Sequence, residues 1–227
     1  ELTPGCAWEL AKILDEAGCP AGVFNLVMGP GSQVGARIVE HPDIAAVSFT
    51  GSVATGRQVA VDCAAKGKKV QLEMGGKNPM VVVDDADLDV AVGAALNGAF
   101  FSTGQRCTAS SRLIVTEGVH DALLDKLTAA AADLVVGDPL DAATQIGPVV
   151  DKGQLDQNLS YLSLAAEEGC DVRGGGLGNG NGFFMHPAVL AGATNSMRVS
   201  REEIFQVTAI VFGSSSLYWA MYVSLNL

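Results

Sequence analysis

The sequence lacks the features of chains that bind membranes or nucleic acids. Its 227 residues contain no apolar run of the ~18 residues that cross a bilayer. The N-terminus has no basic and then apolar stretch of the kind that forms a signal peptide. Lys and Arg number 14 against 25 Asp and Glu, and they form no cluster. The net charge of −11 argues against nucleic acid and anionic membranes as partners, and we expect a cytoplasmic location.

Cysteine and histidine are also scarce. The five cysteines form no C-x-x-C pair, and none of the three histidines stands next to a cysteine or to another histidine. We therefore expect neither a disulfide framework nor a metal site, and a mechanism based on a Cys–His pair is disfavoured. A content of 48% hydrophobic and 17% charged residues is typical of a globular chain.

One cysteine, Cys107, lies in a polar loop within the stretch Phe-Phe-Ser-Thr-Gly-Gln-Arg-Cys-Thr-Ala-Ser-Ser-Arg, residues 100–112. A thiol with an ordinary pKa of ~8.5 is only about 3% thiolate at neutral pH, so a nucleophilic cysteine needs an activating setting. Gly104 permits a tight turn and Arg106 adds positive charge. The small residues after Cys107 predict a short helix whose first N–H groups point toward the sulfur. The alternative is that Cys107 is a small buried hydrophobic residue.

A second stretch, residues 70–79, predicts a strand that ends in the carboxylate of Glu73. Gly75 and Gly76 follow and allow a backbone or a ligand to come close. A carboxylate in this place can act as a general base on water, which is what hydrolysis of a thioester requires. Taken alone, a glutamate such as Glu73 is more often an ordinary ion-pair or capping residue.

The two stretches together carry a family resemblance. The first is Leu-Glu-Met-Gly-Gly-Lys-Asn-Pro at 72–79, and the second is Gly-Gln-Arg-Cys at 104–107, so that Cys107 lies 34 positions after Glu73. In this order and at this separation they resemble the aldehyde dehydrogenase superfamily. The similarity covers residues 1–212. It implies that Cys107 attacks an aldehyde and forms a thiohemiacetal and then a thioester, that the Cys107 N–H stabilises the oxyanion, and that Glu73 activates the hydrolytic water. The sequences of the two motifs are most similar to those of bacterial 2,5-dioxovalerate (α-ketoglutarate semialdehyde) dehydrogenases. This similarity implies a semialdehyde substrate such as 2,5-dioxopentanoate.

The resemblance also implies NAD or NADP as cofactor. From the residues alone, the glycine-rich turn at 29–35 is equally compatible with simple chain geometry, because its spacing differs from the usual dinucleotide fingerprint. Glu1 matches a carboxylate that binds the adenosine ribose and slightly favours NAD. The other matching residues are Gly31 and Gly35 on the adenosine side, Phe49, Thr50, Gly51, Ser52, Thr55 and Gly56 for the pyrophosphate and nicotinamide, and Glu203 with Phe205 for the nicotinamide ribose and ring.

The hydrophobic patterns predict an α/β fold with parallel strands. The resemblance implies a Rossmann-like partial cofactor domain (1–73) followed by an α/β catalytic domain (74–212), and the different character of the end sets apart a divergent tail (213–227). We expect the glycine-rich segment 174–182 to be a hairpin connection without chemistry. The predicted strands are 23–27, 45–50, 69–73, 80–83, 112–115 and 207–212. The predicted helices are 4–17, 29–40, 51–65, 88–101, 119–134 and 151–168.

The sequence also departs from the family pattern. The family's N-terminal part is not in this chain, and Gln206-Val207 stands where the family has Gly-Pro. The family implies a homo-oligomer, but its oligomerisation strand is not recognisable in the tail. We therefore expect an interior segment of a longer protein. Two alternatives to an aldehyde dehydrogenase are a catalytically inactive binding or interaction module and a cofactor-independent thiol esterase that uses Cys107 and Glu73.

Overall fold

The structure is a computed structural model that describes residues 1–214. The chain is a mixed α/β protein and divides into two compact units, Glu1–Met74 and Gly75–Leu227, called here the N-terminal unit and the C-terminal unit. Each contains parallel strands and helices, which confirms the predicted α/β class. Most of the tail that the sequence sets apart, residues 215–227, lies outside the described residues.

The elements follow the predicted order with some additions. In the N-terminal unit they are α1 (Pro4–Glu16), a π-helical turn (Gly31–Gly35), α2 (Ala36–Glu40), β1 (Ala46–Gly51), α3 (Val53–Ala65) and β2 (Lys69–Met74). In the C-terminal unit they are β3 (Asn78–Val82), α4 (Leu88–Ala99), a 3-10 turn (Phe101–Gly104), β4 (Ser110–Thr116), α5 (Glu117–Ala132), α6 (Lys152–Glu167), β5 (Asp171–Gly174), β6 (Ala188–Ala191), α7 (Arg198–Arg201) and β7 (Thr208–Ser214).

Helix α1 forms where it is predicted, but its apolar side is not covered. Pro4 occupies the first helical position, and Gly18 with φ +81° follows the last turn. Thr3 stands at the N-cap, although its side chain accepts no hydrogen bond from the helix. No residue of α1 is buried.

The predicted strand at 23–27 is wrong. A turn covers residues 21–24, in which the Val23 N–H donates to the Pro20 carbonyl and Gly22 has φ +87°. The Asn25 side chain donates to the Gly22 carbonyl at 2.9 Å. These local bonds compete with the ladder that a strand needs, which explains why the apolar run does not pair.

Strands β1 and β2 pair in parallel through the crossover helix α3, as predicted. Their register places Thr50 opposite Glu73 and Gly51 opposite Met74. The carboxyl ends of both strands therefore meet at one edge of the two-stranded sheet, and the N-terminus of α3 begins there.

The C-terminal unit contains a five-stranded sheet in the order β3-β4-β7-β6-β5, parallel except for β5. The predicted strands at 80–83, 112–115 and 207–212 correspond to β3, β4 and β7. The short strands β5 and β6 and the one-turn helix α7 were not predicted. The segment 174–182 connects β5 to β6 in an antiparallel hairpin, as predicted.

Helices cover both faces of this sheet. Ala209 and Val211 of β7 face a core formed with α4 and α5, and Ile210 and Phe212 face a second core on the other side. A strand buried on both faces has a continuous apolar sequence. Leu123 and Leu127 of α5 are fully buried in the first core, where each such side chain contributes about 1.5–3 kcal/mol. Across residues 1–214, we find no helix with the length and apolar character for crossing a membrane.

Candidate functional site

The loop that carries Cys107 is strained and held by the C-terminal unit. It begins after the fully buried Phe100. Ser102 and Thr103 then adopt left-handed backbone conformations, with φ of 55° and 59°. Such conformations cost ~1–3 kcal/mol each in residues other than glycine and persist only where tertiary contacts hold them. Thr103 is buried, and its hydroxyl donates to the Pro148 carbonyl at 3.4 Å.

Cys107 is exposed and lies in a hydrogen-bonded turn. The Ala109 N–H donates to the Arg106 carbonyl at 3.0 Å and closes this turn. The chain then enters β4 at Ser110, which pairs with β3. The short helix predicted after Cys107 is therefore wrong, because the pairing of β4 with β3 takes these residues into the sheet.

Arg106 ties the loop to the preceding helix. Its guanidinium donates to the carbonyls of Asn97 and Gly98 at the end of α4, with 3.1 Å to the Gly98 oxygen. These carbonyls lack partners within the helix and lie at the negative end of its dipole, so a cation is favourable there. The observed contacts of Arg106 are thus structural.

The loop of Glu203 and Phe205 packs against the Cys107 loop. A Cβ on Gly104, which has φ +64°, would collide with the Gln206 carbonyl. A Cβ on Gly75 would likewise collide with the Glu203 carboxylate. Phe205 is the third non-glycine residue with positive φ in the described chain, after Ser102 and Thr103. All three lie in these two loops, where backbone strain is concentrated.

A small cavity of about 20 Å³ lies between the two loops. Its lining includes Lys77, which is 5% exposed. Burial, followed by repulsion from Arg112, lowers the pKa of Lys77 to about 7, and Glu203 and Glu202 act in the opposite direction. The sequence patterns predicted no role for Lys77, although a lysine inside a candidate catalytic motif was a usable signal.

Gln206 departs from the family pattern and lines the same cavity. It is 4% exposed, and neither polar atom of its side chain has a hydrogen-bond partner within residues 1–214. A buried amide in this state costs about 1–3 kcal/mol.

The N-terminal unit brings Glu73 next to the predicted phosphate segment. Glu73 is exposed on β2, and its Oε1 accepts from Gln71 Nε2 at 3.5 Å. Glu73 lies opposite Thr50, and Thr50 directly precedes Gly51 and Ser52 in the sequence. Ser52 caps α3 by accepting the Thr55 N–H at 3.3 Å.

This end of α3 fits a pyrophosphate. Gly51 and Ser52 are exposed, and the N–H groups of the first helical turn lie at the positive end of the dipole. Gly56 is buried, and a Cβ there would collide with Met74 and crowd Phe49. Its absent side chain therefore allows α3 to pack closely on the sheet.

The remaining predicted cofactor residues are exposed or have free space around them. Gly31 and Gly35 lie in the π-helical turn, where a Cβ on either would meet nothing within 4 Å. Packing within the N-terminal unit therefore does not require glycine at these positions. Glu1 is exposed. In the described part of the chain no three His, Cys, Asp or Glu side chains are grouped so that they hold a metal ion.

A family model described as the aldehyde dehydrogenase family matches residues 1–216. The chain belongs to this family. The resemblance seen in the two motifs is thereby confirmed. Being an aldehyde dehydrogenase family member does not by itself assign individual residues, so the roles of Cys107, Glu73 and the cofactor residues stay predictions.

Two curated aldehyde dehydrogenases are similar to nearly the same extent. Betaine aldehyde dehydrogenase of Rhizobium leguminosarum bv. trifolii (strain WSM2304) is 46% identical over 209 residues, which are 90% of this chain and 43% of that protein. Alpha-ketoglutaric semialdehyde dehydrogenase of Bacillus subtilis (strain 168) is 47% identical over 210 residues, again 90% and 43%. The chain therefore spans less than half the length of these relatives.

Solved aldehyde dehydrogenases have the same fold. The NAD+ complex of an aldehyde dehydrogenase from Bacillus cereus matches with a TM-score of 0.96 at 36% identity, over 99% of this chain and 46% of that one. Betaine aldehyde dehydrogenase from Staphylococcus aureus in complex with NAD+ matches with a TM-score of 0.94 at 33% identity, over 98% and 45%.

Proposed function

We propose that this chain carries the nucleophile, the deacylating base and most cofactor contacts of an NAD(P)-dependent oxidation of an aldehyde to a carboxylate. The strongest support is the packing of the Cys107 loop against the loop of Glu203 and Phe205, through Gly104 and the Gln206 carbonyl. This packing brings a candidate nucleophile and candidate nicotinamide contacts into one unit. Family membership supports the same reaction class.

In the proposed mechanism the Cys107 thiolate attacks the carbonyl carbon, and the C=O electrons move to oxygen to form a thiohemiacetal. The Cys107 N–H donates to this oxygen as it gains charge. The C=O bond then re-forms as hydride leaves the carbon, so the thiohemiacetal becomes a thioester, and bound NAD(P) would supply the acceptor for this hydride. Glu73 takes a proton from water, the water oxygen attacks the thioester, and the C–S bond breaks to release the carboxylate and the thiolate.

The cofactor proposal depends on residues in both units. In the N-terminal unit the exposed start of α3 binds the pyrophosphate. In the C-terminal unit Glu203 binds the nicotinamide ribose and Phe205 contacts the ring. Glu1 slightly favours NAD over NADP, since a carboxylate beside the adenosine ribose repels a 2′-phosphate.

For the substrate we propose a semialdehyde such as 2,5-dioxopentanoate. The support is the wording of the two motifs and the 47% identity to alpha-ketoglutaric semialdehyde dehydrogenase. The 46% identity to a betaine aldehyde dehydrogenase makes betaine aldehyde the substrate to test against it. A cytoplasmic location and a homo-oligomer stay predictions.

A second candidate is an inactive binding module, which the exposed apolar residues of the N-terminal unit favour. Trp8 of α1 is 54% exposed, Ile13 59% and Val23 70%. Exposed apolar surface of this kind is typical of segments that contact another polypeptide.

A burst measurement of NADH separates the two candidates. The chain is mixed rapidly with NAD and either 2,5-dioxopentanoate or betaine aldehyde, and absorbance at the NADH band is followed. We expect a burst that approaches one equivalent per Cys107 and is larger with the semialdehyde. Absence of NADH from this chain, while a polypeptide extended upstream to the length of its relatives forms NADH, would favour the binding module.

A further inference from the structure

We propose that Asn78 is a positioning residue for Cys107, whose nucleophilic role is the proposed function above. The Asn78 side-chain nitrogen donates to the Cys107 carbonyl at 2.6 Å and to the Ala109 carbonyl at 3.1 Å. Both partners belong to the turn that holds the thiol. Asn78 belongs to the motif at 72–79, and the sequence patterns predicted no role for it.

The chemistry of the contact requires a primary amide. The NH2 group has two donors, and each carbonyl takes one of them. On the other side, Asn78 Oδ1 would lie 3.6 Å from a Cβ built on Gly76. If the amide were reversed, its oxygen would face two carbonyl oxygens and repel both, so the hydrogen-bond network fixes its orientation.

An irregularity in the sheet directs this side chain toward the loop. Asn78 is the first residue of β3 and pairs with Ser110, whereas the next residue, Pro79, pairs with Arg112. Ser111 is therefore an extra residue on β4. Bulges of this kind bend a strand and redirect its side chains. Because Pro79 has no backbone N–H, the irregularity at this point leaves no β-ladder donor without a partner there. Asn78 is half-buried, next to the buried Lys77.

The Asn78 contact differs from the other contacts of the loop. Thr103 and Arg106 hold the segment before the thiol. In the described chain, Asn78 provides the side-chain hydrogen bond to Cys107 itself. Fixing the Cys107 carbonyl restricts ψ of that residue, and the second bond to Ala109 restricts the far side of the turn. The direction in which the sulfur leaves the backbone is therefore set by Asn78.

The first test measures backbone order without requiring catalysis. Hydrogen exchange of the peptide 105–110 is compared by mass spectrometry in the wild type, Asn78→Ala and Asn78→Ser. We expect exchange to rise about 5- to 10-fold in Asn78→Ala, because both hydrogen bonds are lost, and by less in Asn78→Ser, whose hydroxyl keeps one donor. Asn181→Ala, an exposed asparagine of the segment 174–182, is the matched control and should leave this peptide unchanged.

The second test measures the reactivity of the Cys107 thiol and the rate of turnover. Under native conditions, the rate at which iodoacetamide alkylates Cys107 should differ between Asn78→Ala and the wild type. The buried Cys63 and Cys170 should stay protected in both. In turnover, kcat should fall about tenfold in Asn78→Ala with KM for NAD unchanged, since the cofactor contacts remain.

Two results would overturn the proposal. One is unchanged exchange at 105–110 in Asn78→Ala. The other is a uniform rise of exchange through β3 and β4 with reactive Cys63 and Cys170, which would show a merely structural role. If the wild type forms no NADH, the proposed function fails, and the exchange measurement still decides the role of Asn78.

Discussion

The two units bury their apolar residues to different extents. In the N-terminal unit the buried hydrophobic residues are Val39 and Cys63, and α1 buries none. In the C-terminal unit, helices on both faces of the five-stranded sheet form two cores, with Phe100, Leu127 and Ile210 among the fully buried side chains. The contribution of burial to stability therefore lies mainly in the C-terminal unit.

The difference matches the local structure of the two candidate segments. The candidate phosphate segment of the N-terminal unit consists of main-chain N–H groups at the start of α3, and Ser52 caps this helix within four residues. The helix itself orients those groups. The Cys107 loop has two consecutive left-handed residues, Ser102 and Thr103, which need contacts from distant parts of the chain. The conformation of the Cys107 loop thus depends on a packed core, whereas the start of α3 depends on one less.

The largest effect is expected for the thiol. Cys107→Ala should abolish NADH formation, with a loss of at least ~10³-fold, because no covalent intermediate can form. Cys6, the exposed cysteine of α1, provides the matched control, and Cys6→Ala should leave the rate within a factor of about two. Equal activity in both variants would remove Cys107 from the mechanism and leave the C-terminal unit without its proposed chemistry.

Gly104→Ala should destabilise the C-terminal unit by ~3–5 kcal/mol, because the residue has φ +64° and the new Cβ meets the Gln206 and Ala99 carbonyls. Gly93 lies within α4 with nothing near its Cβ position, and Gly93→Ala should stabilise by about 0.5–1 kcal/mol. Urea unfolding followed by circular dichroism measures both. A loss below about 1 kcal/mol in Gly104→Ala would show that the two loops adjust easily.

Lys77→Met should stabilise the protein in a pH-dependent way. Because the pKa of Lys77 falls from 10.5 unfolded to about 7 folded, the unfolded chain binds more protons between these values, and stability rises with pH there. The free-energy cost of burying the charged Lys77 ammonium is fully present below pH 7 and absent above pH 10.5. We expect a gain on the order of 5 kcal/mol at pH 6 that disappears by about pH 10.5 in urea titrations. A gain independent of pH would show that burial of the ammonium is not its source.

The smallest effect is expected in α1. Leu10 is 50% exposed, and Leu10→Ala should cost no more than about 0.5 kcal/mol. Leu127→Ala, the same substitution at a fully buried residue of α5, should cost about 2–5 kcal/mol. Thermal unfolding monitored by circular dichroism compares them. Similar losses in the two variants would mean that the N-terminal unit buries α1 in solution and that the contrast between the units is wrong.

Much of the fold follows from local patterns. The apolar run of β7 and the helices α3 and α6 were predicted, because hydrophobic period and capping residues act within a few positions. The strand predicted at 23–27 failed because Pro20, Gly22 and Asn25 form a local turn. The short strand β6 was not predicted because four apolar residues show little periodicity. Pairing with the neighbouring strands of the sheet determines their conformation.

The sequence by itself determined the family, the α/β class and the candidates Cys107 and Glu73, since motif wording and hydrophobic period are properties of the chain. Only the tertiary structure decided that Lys77 is buried, that the residues after Cys107 enter a strand, and that the Asn78 side chain donates to the Cys107 carbonyl. These facts depend on a strand pairing and a bulge between segments about thirty positions apart. Local sequence does not encode which distant carbonyl a side chain will meet.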